Sequence, residues 1–207
     1  LILTSRADPP LPLAQLRARG ELVELRAGDL RFTLDEATML LNQVMNLKLT
    51  AQDIGALETR TEGWIAGLQL AALSMRDWTD RTSFIAAFAG SHRFILDYLI
   101  EQVLEHQSPD LQSFLLETSI LDRFTASLCD AVRESENSQP ILEQIERANL
   151  FLISLDDERK WFRYHHLFAD VLRVRLRDQA GEERMMQLHQ RTSEWFAREG
   201  MLPEAID

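Results

Sequence analysis

The stretch LFLISLDDERKWFRYHHLFADVLR, residues 150–173, decides the fold. It opens on an apolar run, turns at the acidic group 156–158, and returns through Trp161, Phe162 and Tyr164. Two short apolar and aromatic runs around a polar turn read as a β-hairpin. An amphipathic helix, from about His165 to Arg177, follows directly.

Three helix starts precede this hairpin. Ser108, with Pro109 at the first helical position, opens SPDLQSFLLETSIL. Thr125 caps TASLCDAV, and Ser138, with Pro140 shortly after, opens QPILEQIERAN. Three helices, a hairpin and a closing helix, over about residues 91–178, give the element order of a winged-helix module. At its start SHRFILDYLIEQVLEHQ places Phe94, Ile95, Tyr98, Leu99 and Val103 along one helical face.

The polar stretch 77–82 marks a boundary upstream of this module. Before it lie more helices. Thr33 with Glu36 three residues later forms a capping box, and Ala37, Leu40, Leu41 and Val44 share one face. Thr50 with Asp53 caps the next helix. EGWIAGLQLAALSM then carries apolar residues over too wide an arc for one exposed surface, so it packs on more than one side.

At the N-terminal end, LILT fits a buried strand before a proline-rich turn, with its sheet partners expected upstream of residue 1. LAQLRARG is a short helix closed by Gly20, and Leu22–Leu25 alternate as a second strand would. A helix from Glu182 to Gly200 starts what reads as a helical repeat array, with more units expected beyond Asp207.

The chain has 207 residues, 45% hydrophobic and 27% charged, enough to bury a core. Its formal net charge is −11, which opposes non-specific binding to a phosphate backbone. A single cysteine, Cys129, excludes a disulfide framework and places the chain in a reducing, cytoplasmic compartment. At its apolar helix position it reads as a core thiol. No apolar run reaches the ~20 residues that span a bilayer, and no signal peptide is visible. The sequence begins at Leu1 and reads as a piece of a longer protein.

His165 and His166 do not read as metal ligands. Adjacent helical residues point about 100° apart, and no HxxxH or CxxC accompanies them. No nucleophile motif is present, so neither catalytic nor metal residues are expected and the chain alone should be inactive. DNA reading by the third helix is disfavoured, because Glu143 and Glu146 outnumber its one basic residue, Arg147. The basic run Arg173–Arg177 reads as a solvated helix end. Arg6 follows a strand and precedes a turn; it is either a surface arginine or a phosphate sensor.

Several stretches together resemble one family, the large ATP-dependent LuxR-type transcriptional regulators of MalT type, which belong to the STAND class of NTPases. They include LRAGDLRFTLDEA (25–37), LETRTEGWIAGLQLAALS (57–74), FLLETSIL (114–121), DDERKWFRYHHLFADVLR (156–173) and LHQRTSEWF (188–196), in the family's order. The resemblance implies a mainly α chain in four parts. These are an NTPase remnant at 1–32 with the last strands of a P-loop sheet, a helical lid at 33–90, the winged helix at 91–178, and the start of a superhelical repeat domain from 179.

The resemblance also implies nucleotide-facing residues. Arg6 matches a sensor arginine. Gly67, Leu68 and Gln69 stand where relatives carry the start of GLPL, with Gln69 replacing the base-packing proline. His165 stands at the histidine of MHDL, which contacts the ADP β-phosphate in the closed state. The complete protein would then be a regulator using ATP and ADP, a slow ATPase switch. It would self-associate, take a small-molecule or protein inducer at the repeat domain, and bind DNA through a C-terminal helix-turn-helix. Tight nucleotide binding by this chain alone is not expected, because the G-x-x-x-x-G-K-[ST] cradle is missing from it. The alternatives are a free-standing winged-helix DNA-binding module and a protein-interaction scaffold.

Overall fold

The structure, a computed structural model, describes residues 2–5, 8–75, 84–85, 88, 93–201 and 203. Arg6 and the stretch 77–82 lie outside the described residues. The chain divides into two compact units, Leu1–Ala87 with Arg147–Leu150, and Phe88–Glu146 with Phe151–Asp207.

In the first unit, α1 (Leu13–Ala18) buries no residue and ends before Gly20, whose φ of +68° suits glycine. The strands expected at 1–4 and over Leu22–Leu25 are not formed among the described residues, where Ile2 and Val23 are 92% and 91% exposed. A strand is stabilised by a ladder partner and a covered face, and these residues have neither. Ion pairs of Arg17 with Glu24, and of Arg26 with both Glu24 and Asp8, tie this segment together instead.

α2 (Leu34–Thr38) has the expected capping box: the Glu36 amide donates to the Thr33 hydroxyl, and the Thr33 amide donates to the Glu36 carboxylate. The helix continues as a π-helical segment, Met39–Val44. The wider turn shifts the phase of the apolar stripe. Ala37 and Leu41 are buried as read, whereas Val44 is 75% exposed. The Asn42 amide then clips the next loop, donating to the Leu49 carbonyl (2.9 Å) and accepting from the Leu49 amide (2.7 Å).

α3 (Ala51–Thr61) starts at the Thr50–Asp53 capping box and ends in two left-handed residues, Glu62 and Gly63. A Thr50→Ala substitution should cost about 1 kcal/mol of this unit's stability, measured by chemical denaturation. α4 (Ile65–Met75) buries Gly67, Leu68, Ala71, Ala72, Ser74 and Met75, a wide arc as its composition required. It completes a core with Leu41, Ile54 and Leu57.

The second unit begins with α5 (Arg93–Leu99), which also passes into a π-helical segment, Ile100–Leu104. The buried stripe is therefore Ile95, Leu99 and, five residues on, Leu104. Phe94 is 51% exposed and Tyr98 also lies outside the core, unlike the single face read from α-helical spacing.

α6 (Pro109–Thr118), α7 (Ala126–Arg133) and α8 (Ser138–Arg147) follow, with Ser108 and Thr125 acting as side-chain caps. Ser138 is itself the first helical residue, its amide donating to the Asp130 carboxylate at 3.0 Å. β1 (Leu152–Ser154) and β2 (Phe162–Tyr164) pair antiparallel in the register Leu152–Tyr164, Ile153–Arg163, Ser154–Phe162. Phe124, between α6 and α7, adds an isolated antiparallel bridge to β2, exchanging both backbone hydrogen bonds with Phe162 at 2.8 Å.

α9 runs His166–Arg198 but is interrupted at Gly181, where φ is 70° and ψ 173°. Its first part packs Leu167, Phe168, Val171, Leu172 and Leu176 into the core beside Phe114 and Phe124.

Candidate functional site

The hairpin places the two histidines. In the wing turn, the Asp156 carboxylate accepts the amides of Lys160 (2.9 Å) and Trp161 (2.8 Å), and these hydrogen bonds hold its pKa below the ordinary aspartate value. The turn thereby directs β2 back along β1 and delivers Tyr164 into the core.

Tyr164 is pinned there by a buried hydrogen bond to Thr118, 2.7 Å between their oxygens. The Thr118 hydroxyl gives its one proton to the Phe114 carbonyl (2.7 Å), so Tyr164 is the donor of the pair. Burial raises the Tyr164 pKa, keeping the phenol protonated for that role.

His165 is the next residue and the N-cap of α9. Its amide donates to the Phe151 carbonyl (2.8 Å), and its carbonyl accepts the Ala169 amide (2.9 Å). Its ring stands edge-on to Phe151 at 5.8 Å between centroids and is 4% exposed. His166, by contrast, is exposed on the first turn. The two side chains thus diverge, and among the described residues no group of three His, Cys, Asp or Glu side chains is placed to hold a metal ion.

The other carried-over residues belong to the first unit. Gly67, Leu68 and Gln69 follow one another on α4: Gly67 is buried, the Leu68 side chain is wholly enclosed, and Gln69 is exposed. Leu68 therefore acts as core, and only Gln69 of the three offers a side chain to a ligand. These residues form no phosphate cradle of their own.

The third helix of the module presents Gln139, Glu143, Gln144 and Arg147 to solvent. Glu146 is engaged with Arg159 of the wing at 3.4 Å. One cation facing several acceptors is a poor match for a phosphate backbone. Arg173 is not a solvated helix end as its sequence context suggested. It donates to the Ser119 carbonyl and to Asp122, both at 2.7 Å, bracing the turn after α6. Cys129 is fully buried, and burial raises its pKa, which makes it inert.

Sequence reasoning did not find the node centred on Glu117, whose carboxylate receives Arg133 (3.1 Å) and Arg184. Its members lie 16 and 67 residues away, and no local pattern links them.

Three helices, a bridging rung, a hairpin wing and a closing helix define this part of the chain as a winged-helix module. Residues 100–184 match the MalT winged helix domain. The whole chain is 42% identical over 207 residues to the serine/threonine-protein kinase PknK of Mycobacterium tuberculosis, covering 19% of that protein. It is 36% identical over 208 residues to the HTH-type transcriptional regulator MalT of Klebsiella pneumoniae subsp. pneumoniae, and 35% identical over 210 residues to that of Serratia proteamaculans, covering 23% of each. The chain is a MalT-like segment. It spans about a fifth of the length of these relatives. Among the described residues no helix is long and apolar enough to cross a membrane.

Proposed function

We propose that the chain is the regulatory relay of a larger MalT-like regulator, coupling nucleotide state to self-assembly and hence to the output of that protein. The observation that carries this reading is the match of the entire chain to two proteins named for different outputs, a serine/threonine kinase and an HTH-type transcriptional regulator. A segment common to both does not supply what distinguishes them; it serves something upstream of each output. The acidic third helix agrees with a relay that does not itself read DNA.

ATP and ADP are the proposed effectors of the complete protein, with the phosphate cradle supplied by chain outside this segment. DNA contact, an inducer and self-association are likewise proposed for the complete protein, which we place in the cytoplasm. Arg6 is proposed as the arginine meeting the phosphate end, and Gln69 and the Gly67 backbone as the edge facing the base. His165 is proposed as the donor to the ADP β-phosphate in the resting state. Its cap position supports this, because a helix N-terminus favours an anion and the backbone around it is fixed on both sides.

The test is His165→Ala in the full-length protein. ADP affinity, by titration calorimetry, should fall about tenfold for the loss of one hydrogen bond to a charged group, with ATP affinity unchanged. Assembly without inducer should rise. Unchanged ADP affinity would remove His165 from the switch.

A further inference from the structure

We propose that residues 182–198 form a strap, hinged at Gly181, that opens from the winged helix as a unit of its own. At Gly181 the backbone leaves helical geometry for a φ of 70° and ψ of 173°, a region open essentially to glycine alone. A Cβ added there would meet nothing within 4 Å, so no packed neighbour obstructs a pivot.

The strap docks through one face, where Met185, Thr192 and Ser193 are half-buried. Leu188, Trp195 and Phe196 are its buried side chains. Arg184 pairs with Glu117 of α6. Arg191 donates to the Val132 carbonyl at the end of α7 (3.1 Å) and pairs with Glu134 (2.7 Å). Packing is interrupted at both ends. An open surface cleft of about 330 Å³ lies between α6 and Leu176–Arg184. An open groove separates Asp130 and Glu134 from Trp195 and Arg198.

The helix hydrogen bonds of the strap are internal to it and survive its departure. Opening therefore uncovers Leu188, Trp195 and Phe196, releases the Arg184 and Arg191 clasps, and leaves the hairpin ladder intact. A segment that can undock behind a helix break without losing its own backbone hydrogen bonds opens below the global unfolding free energy. The strap is thus a point at which a signal reaching the chain after Gly181 is passed to the winged helix or withheld from it.

Hydrogen–deuterium exchange of the full-length protein, read by mass spectrometry, tests this. Peptides within 185–198 should exchange together, at least about tenfold faster than those holding Phe124 and the β1–β2 ladder. Arg184→Gln and Arg191→Gln should each speed the strap by about a further tenfold and leave the ladder unchanged. Substituting Glu117 is avoided, because it also supports Arg133 against the Phe114 ring. Strap and ladder exchanging at one rate would overturn the proposal. So would arginine substitutions that speed both equally or neither.

Discussion

Phe168→Ala should destabilise the winged-helix unit by about 3–5 kcal/mol, the usual cost of emptying a phenylalanine site in a core. Phe168 is fully enclosed, with its ring 5.2 Å from that of Phe151 and 6.0 Å, edge-on, from that of Tyr164. It sits on the first turn of α9, so the site it fills joins the hairpin to the closing helix. The neighbouring rings are fixed by backbone pairing and by the Tyr164–Thr118 hydrogen bond, and they cannot collapse into the space left. A domain commonly holds about 5–15 kcal/mol in all, so this one change removes a large share and should lower the melting temperature by at least about 10 °C. Phe94→Ala is the matched control. Its ring is 51% exposed, and the change should stay within about 0.5 kcal/mol. Circular dichroism of both variants decides the matter, and equal losses would show that the core does not lie where α9 and the hairpin place it.

The same contrast separates what the sequence reveals from what it conceals. The caps at Thr33, Thr50, Ser108 and Thr125 were legible because each satisfies its helix within three residues. The hairpin was legible because its apolar runs flank one acidic turn. The two π-helical segments were not, since nothing local in MLLNQV or IEQVL marks the extra residue per turn. That residue moved Val44 out to solvent and put Leu104 in the core. The strands expected before residue 26 rest on a short apolar run at the N-terminal end and on alternation over Leu22–Leu25, and neither pattern specifies a ladder partner.

The candidate site divides in a similar way. The position of His165 at the start of the closing helix follows from local pattern. Its burial follows from Phe151, fourteen residues earlier on the far side of the hairpin, which only the folded register brings beside it. Leu68 was carried over with its neighbours on α4, yet helical geometry sends its side chain into the core and Gln69 outward. The Glu117 node and the Arg173 brace are contacts between distant segments, so they appear only in three dimensions.

Gly63→Ala should be the most damaging single methyl in the first unit. Gly63 has φ +70°, where an added Cβ is strained by about 1–2 kcal/mol before any contact is counted. Here the Cβ would also stand 2.5 Å from the Phe32 carbonyl oxygen and 3.0 Å from the Phe32 nitrogen. Both are backbone atoms, and the Phe32 amide already donates to the Gly63 carbonyl at 2.8 Å, so neither segment can withdraw without losing that bond. The preceding Glu62 is left-handed as well and is braced by Arg31 at 3.6 Å, which leaves little slack in the α3–α4 turn. Strain and clash together should cost at least about 3 kcal/mol. Gly55→Ala supplies the opposite sign. It lies within α3 with open space around it, and alanine there should stabilise by about 0.5–1 kcal/mol. Urea denaturation of the two variants should move the midpoint in opposite directions. A neutral Gly63→Ala would mean that the loop at residue 32 yields, and that the close approach is not what orients α4 and the exposed Gln69.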